Sequence, residues 1–166
     1  LGLFTLRRAF EDSHQLPGLR VAINVSAAQL RLKDFGLKLK DLVQETRVET
    51  HRIEIEITEG LLLGDDVGVL DRLREIRAMG IRIALDDFGT GYSSLSYLQR
   101  YPIDKIKIDR SFIANLGIEG QSEAVVSAIV RLARALRLDV IAEGVETEAQ
   151  RLRLAAAGCG DVQGFL

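Results

Sequence analysis

The sequence predicts a parallel α/β fold of the barrel kind, and three observations carry that prediction. Short β-branched segments alternate strictly with helical ones along the chain, the rhythm of strands joined by crossover helices. Every strand finishes in a polar or charged side chain. The strands also carry small or charged residues on one face and aliphatic ones on the other, whereas open parallel sheets are apolar on both.

Apolar positions 3, 6 and 10, with Arg7, Arg8 and Glu11 between them, read as the end of an amphipathic helix. Pro17-Gly18 breaks it, and residues 20–25 follow as a β-branched strand. Residues 34–48 look helical, and 52–57 alternate as Arg-Ile-Glu-Ile-Glu-Ile, a strand by period two. Residues 66–79 form a helix with Val67, Leu70, Leu73 and Ile76 on one face, closed by Gly80. Strand 81–86 leads into a Gly/Ser-rich loop and a short helix ending at Tyr101-Pro102. Strand 104–109, helix 121–136, strand 138–143, helix 147–157 and strand 159–164 complete the series.

Side chains at i and i+2 share a strand face. Ala22/Asn24, Glu54/Glu56, Ala84/Asp86, Lys105/Lys107 and Ile141/Glu143 therefore point one way. Ile53, Ile55, Ile57, Ile81, Ile83, Leu85, Ile106 and Ile108 point the other, suited to burial under helices. A TIM-type (β/α)8 barrel accommodates this better than an open doubly wound sheet. Six of eight strands are present, since such a barrel takes about 250 residues and the chain has 166. Glu54, Arg82 and Lys105 are expected inside it, neutralising one another because unpaired buried charge is costly.

Composition narrows the function. Hydrophobic residues at 47% and charged ones at 28% fit one globular domain over residues 1–166. With 22 Lys+Arg against 24 Asp+Glu the net charge is −2, and no basic field exists to hold duplex nucleic acid. No apolar run approaches the roughly 18 residues of a membrane span. One cysteine, Cys159, excludes an intrachain disulfide and fits a reducing, cytoplasmic setting.

The strand ends carry the chemistry: Asn24, Glu56 with Glu59, Asp86-Asp87, Lys107 with Asp109, Glu143 with Glu146, and Gln163. One carboxylate after a strand is commonly a helix cap or turn residue. Six strand ends of this kind point instead to a site, because α/β folds assemble sites there. Asn24, Glu56, Asp86, Asp87 and Glu143 are hard oxygen donors suited to Mg²⁺ or Mn²⁺, and no strand ends in Cys or His, which disfavours zinc. Adjacent carboxylates such as Asp86-Asp87 suit a pair of ions clamping a phosphoryl displacement, with Lys107 offsetting charge on phosphate or orienting the nucleophile. His14 and His51 lie away from the strand ends and read as surface or packing residues. Gly89-Thr90-Gly91 lacks the third glycine of a dinucleotide fingerprint, Ser94 standing there. Asp87-Phe88-Gly89 matches a kinase tripeptide with nothing else of that signature. The loop Asp87–Ser94 is a candidate lid, and Cys159 reads as a small buried hydrophobe.

Together these stretches resemble the EAL-domain family of cyclic di-GMP phosphodiesterases. The matching segments are Asn24-Val25-Ser26, Glu54-Ile55-Glu56-Ile57-Thr58-Glu59 and Asp86-Asp87-Phe88-Gly89-Thr90-Gly91-Tyr92-Ser93-Ser94-Leu95, followed by Lys105-Ile106-Lys107-Ile108-Asp109-Arg110-Ser111-Phe112, Ala142-Glu143-Gly144-Val145-Glu146-Thr147 and Gln163-Gly164-Phe165. The resemblance implies hydrolysis of one phosphodiester bond of cyclic di-GMP to linear pGpG at a site with two divalent cations, Mg²⁺ or Mn²⁺. It implies that Asn24, Glu56 and Asp86 hold the first ion and that Asp86, Asp87 and Glu143 serve the second. Lys107 would contact the attacking water and Glu59 brace the Asp87–Ser94 loop, with Asp109 and Gln163 near substrate or bound water. Glu146 receives no role. A homodimer and a place within a larger signalling protein, cytoplasmic even where a membrane sensor tethers it, are further implications.

The Glu-Ala-Leu segment that names the family, with its metal-binding Glu, occurs nowhere in the chain. The expectation is a domain trimmed at both ends, whose open sheet edges leave it prone to poor folding, self-pairing or inactivity. Three alternatives stand beside the enzyme: a silent cyclic di-GMP receptor, an enolase-type barrel acting on a carboxylate substrate, and a purely structural module, which leaves the polar strand ends unexplained.

Overall fold

The computed structural model describes residues 2–62, 67–91, 96–117 and 120–165. In chain order these hold α1 (Gly2–Ser13), β1 (Val21–Asn24), α2 (Ala27–Leu30), α3 (Phe35–Thr46), β2 (Ile53–Thr58), α4 (Val67–Ala78), β3 (Arg82–Phe88), α5 (Ser96–Arg100), β4 (Lys105–Ile108), α6 (Arg110–Ala114), α7 (Gly120–Leu136), β5 (Asp139–Val145), α8 (Glu148–Ala157) and β6 (Asp161–Gly164). Single 3-10 turns, Thr50–Arg52 and Glu59–Leu61, flank β2. The six strands follow chain order in the sheet. Residue contacts group the chain into two compact units: Leu1–Ala84 with Leu95–Pro102, and Leu85–Ser94 with Ile103–Leu166.

In the first unit β1 and β2 pair in parallel, Val21 opposite Ile53 and Asn24 opposite Glu56. Ile53, Ile55 and Ile57 are at most 1% exposed. Helix α1 turns Leu6, Phe10 and Ser13 inward, a spacing of four and three that keeps them on one stripe. The guanidinium of Arg52 collects the backbone oxygens of Ser13, Leu16 and Leu19, so the turn after α1 is held by charge-assisted hydrogen bonds. Helix α3 ends at Arg47 in the left-handed conformation (φ 53°). Met79-Gly80 closes α4, with Gly80 at φ +85° beside Thr50.

The charged face is buried as expected: Glu54 and Glu56 are 3% and 8% exposed. Oε2 of Glu54 lies 3.7 Å from Nε of Arg82, so the Glu54–Arg82 half of the expected trio is present. Lys105, also buried, belongs to the second unit. Losing one member of a buried ion pair leaves the other charge poorly solvated. Glu54→Ala is therefore expected to destabilise the protein by about 3 kcal/mol in urea unfolding. A loss under about 0.5 kcal/mol, the scale of ordinary surface changes, would show that the charge is not confined there.

In the second unit β4 pairs with β5 and β5 with β6, both parallel. Helix α7 packs on β4 and β5 through Val126, Ile129, Val130 and Ala133. Thr147 caps α8 in a reciprocal box with Gln150, and Gly158 ends it at φ +90°. Glu143 pairs with Gln163 but Val145 with Gly164, so Gly144 is an extra residue, a bulge at the strand's end.

Three expectations need correction. Val67 is 62% exposed and Val69 is buried instead: at about 100° per residue, Val67 and Ile76 stand on opposite sides of α4. Strand β3 continues to Phe88 and β5 to Val145. Helices α2 and α6 did not stand out in the sequence because at four and five residues they show no apolar period.

Candidate active site

The first unit supplies Asn24, Glu56 and Glu59. Asn24 is exposed and Glu56 nearly buried, and the two are register neighbours on adjacent strands. Glu59 is 3% exposed and accepts a 2.7 Å hydrogen bond from the Tyr97 hydroxyl. It therefore anchors α5, the helix after the Gly/Ser-rich loop. Tyr92, Ser93 and Ser94 lie outside the described residues, and with them the expected contact of Glu59 to that loop and the lid itself.

The second unit supplies the rest. Nζ of Lys107 lies 3.1 Å from Oδ1 of Asp86 and 2.7 Å from Oε1 of Glu143. The Lys107 side chain is 6% exposed and those of its partners 14% and 20%. All of β4 is buried, so the lysine stem is clamped and its ammonium is delivered between the two carboxylates. Asp87, one residue beyond Asp86, takes the left-handed conformation (φ 53°), which Asp tolerates better than most residues. Its N–H donates to Oδ1 of Asp86 at 3.1 Å, and its carbonyl accepts from the Thr90 hydroxyl at 2.9 Å. Partial burial, then the charges of Asp86 and Asp109, push the Asp87 carboxyl above the usual range, with Lys107 and Arg110 offsetting part of this.

Gly89 sits at φ +97°, where a Cβ would come 2.9 Å from the Phe112 ring. Its glycine is thus required by the turn after β3, which accounts for the resemblance to kinase and dinucleotide signatures. Asp109 is the N-cap of α6, its Oδ1 accepting from the N–H and Oγ of Ser111 at 3.0 and 2.5 Å. Burial alone would raise its carboxyl, but the Ser111 bonds, the Arg110 N–H and the Arg110 charge outweigh it and hold the group below the usual range.

Asp87, Asp109, Glu143 and Gln163 line one open cleft of about 580 Å³ together with Arg110, Gly144, Glu146, Gly164 and Phe165. The structure thus brings six expected residues into the second unit, with Asp86 and Lys107 joined to the cleft through Glu143. Arg110 and Gly144 are additions, and Glu146, a strand-end residue that received no role from the sequence, lines the cleft with them. Arg110 had a signal, as the first residue of a helix opening at a strand end. Gly144 had none apart from being glycine: its φ is +73°, and a Cβ there would lie 2.6 Å from Cβ of Arg110. Every candidate ligand offers oxygen, and the Lys107 ammonium shows two of them converging on a single positive charge, which fits a hard cation. Among the described residues no group of three or more His, Cys, Asp or Glu side chains is gathered closely enough to hold an ion.

The other flagged residues have structural settings. His14 bonds through Nε2 to the Thr46 carbonyl at 2.9 Å, and His51 is an exposed neighbour of Glu49. Cys159 is 2% exposed, and burial, followed by the Asp161 charge, pushes its thiol up to about 11. At pH 8 only about one thiol in a thousand is then ionised, and the thiolate is the reactive form. Native protein is expected to resist iodoacetamide at pH 8 for hours, by mass spectrometry, and to be modified fully once unfolded. Rapid native modification would contradict this burial.

Among the described residues no helix is long and apolar enough to cross a membrane. The chain is 44% identical over 148 residues to the cyclic di-GMP phosphodiesterase PdeR of Escherichia coli, covering 89% of this chain and 22% of that protein. It spans 18–38% of the length of eight curated relatives, PdeR among them. Among solved structures, the phosphodiesterase of MucR in complex with c-di-GMP superposes at a TM-score of 0.92 with 40% identity, over 99% of this chain and 69% of that one. A manganese and c-di-GMP complex of BlrP1 from Klebsiella pneumoniae superposes at 0.90 with 34% identity, over 99% and 43%. These likenesses show the fold, the TIM-like barrel of EAL structures, of which this chain carries six parallel strands. The EAL domain family matches residues 1–166 from end to end, and the chain belongs to that family.

Proposed function

We propose that this domain hydrolyses one phosphodiester bond of cyclic di-GMP, giving linear pGpG. The observation that carries the reading is the charge of the cleft. Asp87, Asp109, Glu143 and Glu146 face it against one guanidinium, Arg110. A phosphodiester anion is repelled by such a lining unless cations accompany it, so the site suits a metal-assisted reaction on an anionic substrate. PdeR carries phosphodiesterase in its name, and the MucR and BlrP1 structures hold c-di-GMP, which supports the substrate.

Asn24, Glu56, Asp86, Asp87 and Glu143 would hold two divalent cations, Mg²⁺ or Mn²⁺, which neutralise charge on the phosphodiester and make the attacking water more acidic. Lys107 works as a donor: its ammonium stands beside Asp86 and Glu143, and Nζ would fix the oxygen of the attacking water. Asp109, held ionised by Ser111, accepts a hydrogen bond from substrate or from water. Gln163, on the next strand beside Glu143, offers both donor and acceptor. Glu59 keeps α5 in place through Tyr97. A larger signalling protein around the domain, and a homodimer, belong to the same reading.

The test is cyclic di-GMP turnover with Mg²⁺ or Mn²⁺, read by chromatographic separation of pGpG, for residues 1–166 beside a form extended upstream. Cleavage by the extended form supports the reading. Binding without cleavage by either form would replace it with a receptor.

A further inference from the structure

We propose that Lys107 is an intramolecular competitor for a divalent cation: it holds Asp86 and Glu143 in the ion-free protein and yields them when an ion binds. The inference rests on the phosphodiesterase reading for the assignment of those two carboxylates as ligands. It goes beyond that reading by giving Lys107 a task before any substrate arrives.

The geometry supports it in three ways. First, the ammonium contacts Asp86 Oδ1 and Glu143 Oε1 at 3.1 and 2.7 Å, and those oxygens are the ones a hard cation would use, at about 2.0–2.2 Å. An ammonium and a divalent ion cannot both stand between the same oxygens, since their charges repel at short range in a partly dry site. Second, the exchange requires little motion. Ile106 and Ile108 on either side of Lys107 are fully buried, so β4 stays fixed and only the end of the lysine stem swings. Third, the carboxylates need a positive charge in both states. Side chains only 14% and 20% exposed are poorly solvated unless paired, and Lys107 supplies the pairing when no ion is present.

Two consequences follow. Ion affinity is weaker than the ligand set alone would give, because binding must first break two ion pairs. The amine is also freed to meet the attacking water only in ion-loaded molecules, so competence for turnover follows ion occupancy.

The experiment compares full-length wild type with Lys107→Met, Lys107→Arg and Lys105→Met. Mn²⁺ affinity is measured by calorimetry, and melting is followed in chelator and in Mn²⁺. Lys105→Met removes the same charge from the same strand at a residue assigned no ligand contact, and so controls for net charge. Lys107→Met is expected to bind Mn²⁺ at least about tenfold more tightly than wild type, to melt lower in chelator and to gain more on Mn²⁺ addition. Lys107→Arg keeps the competing charge and is expected not to tighten. If Lys107→Met is unfolded in chelator, the Mn²⁺ midpoint of refolding divided by one plus its ion-free unfolding constant replaces the affinity: a value below the wild-type Kd supports competition, and one at or above it refutes it. Unchanged or weaker affinity in Lys107→Met, or equal tightening in Lys105→Met, overturns the inference while leaving the two-ion reading intact. No Mn²⁺ binding by wild type or any variant removes both.

Discussion

Asp86→Ala is expected to abolish cyclic di-GMP turnover, by at least about a thousandfold in kcat, while leaving the fold in place. Asp86 combines several duties in one carboxylate: it pairs with Lys107, accepts from the Asp87 N–H and is proposed to serve both ions. Among the described residues of the second unit no other side chain has that combination, so its loss is not compensated locally. Stability should suffer little, because Lys107 retains Glu143 at 2.7 Å and Asp86 is only partly buried. The comparison needs product separation for rate and thermal melting for fold. More than a tenth of wild-type activity in a well-folded Asp86→Ala protein would remove Asp86 from the chemistry.

Gly144→Ala is expected to be the more damaging change to the structure around the cleft. A non-glycine residue in the left-handed region costs about 1–2 kcal/mol by itself. Here the new methyl would also meet Cβ of Arg110 at 2.6 Å and its Cα at 3.4 Å, atoms that no rotamer change can move. Relief requires shifting either the start of α6 or the end of β5, and each carries a cleft residue: Asp109 with Arg110, or Glu143. A combined loss of about 3 kcal/mol in denaturant unfolding should therefore accompany a fall in kcat. A Gly144→Ala protein as stable and as active as wild type would mean that the bulge is free to relax.

What the sequence showed of this molecule followed from how regular each element is. Strand β2 was legible because Ile53, Ile55 and Ile57 alternate with Glu54 and Glu56, although the structure buries both of its faces alike. The strand-end carboxylates were legible because polar atoms at the mouths of buried strands are hard to explain by packing. Helices α2 and α6 were not, since caps rather than periodicity define them: Ser26 with Gln29, and Asp109 with Ser111. Asp109 consequently read as the end of a strand when it is the first residue of a cap. The cleft residue Gly144 escaped for a different reason. Its importance lies in a backbone bulge and in a neighbour far along the chain, and neither has a local signature.

The silence of Cys159 gives the protein a practical property. Its thiol is the sole one in the chain and is shielded, so a cysteine introduced elsewhere becomes the one addressable sulfur without any removal of native residues. Phe165, 92% exposed at the rim of the cleft, is a natural position for it. A fluorophore attached to Phe165→Cys would sit where dinucleotide bound in the proposed site would change its surroundings. Ligand occupancy could then be followed optically, and in single molecules, against a background with no competing label.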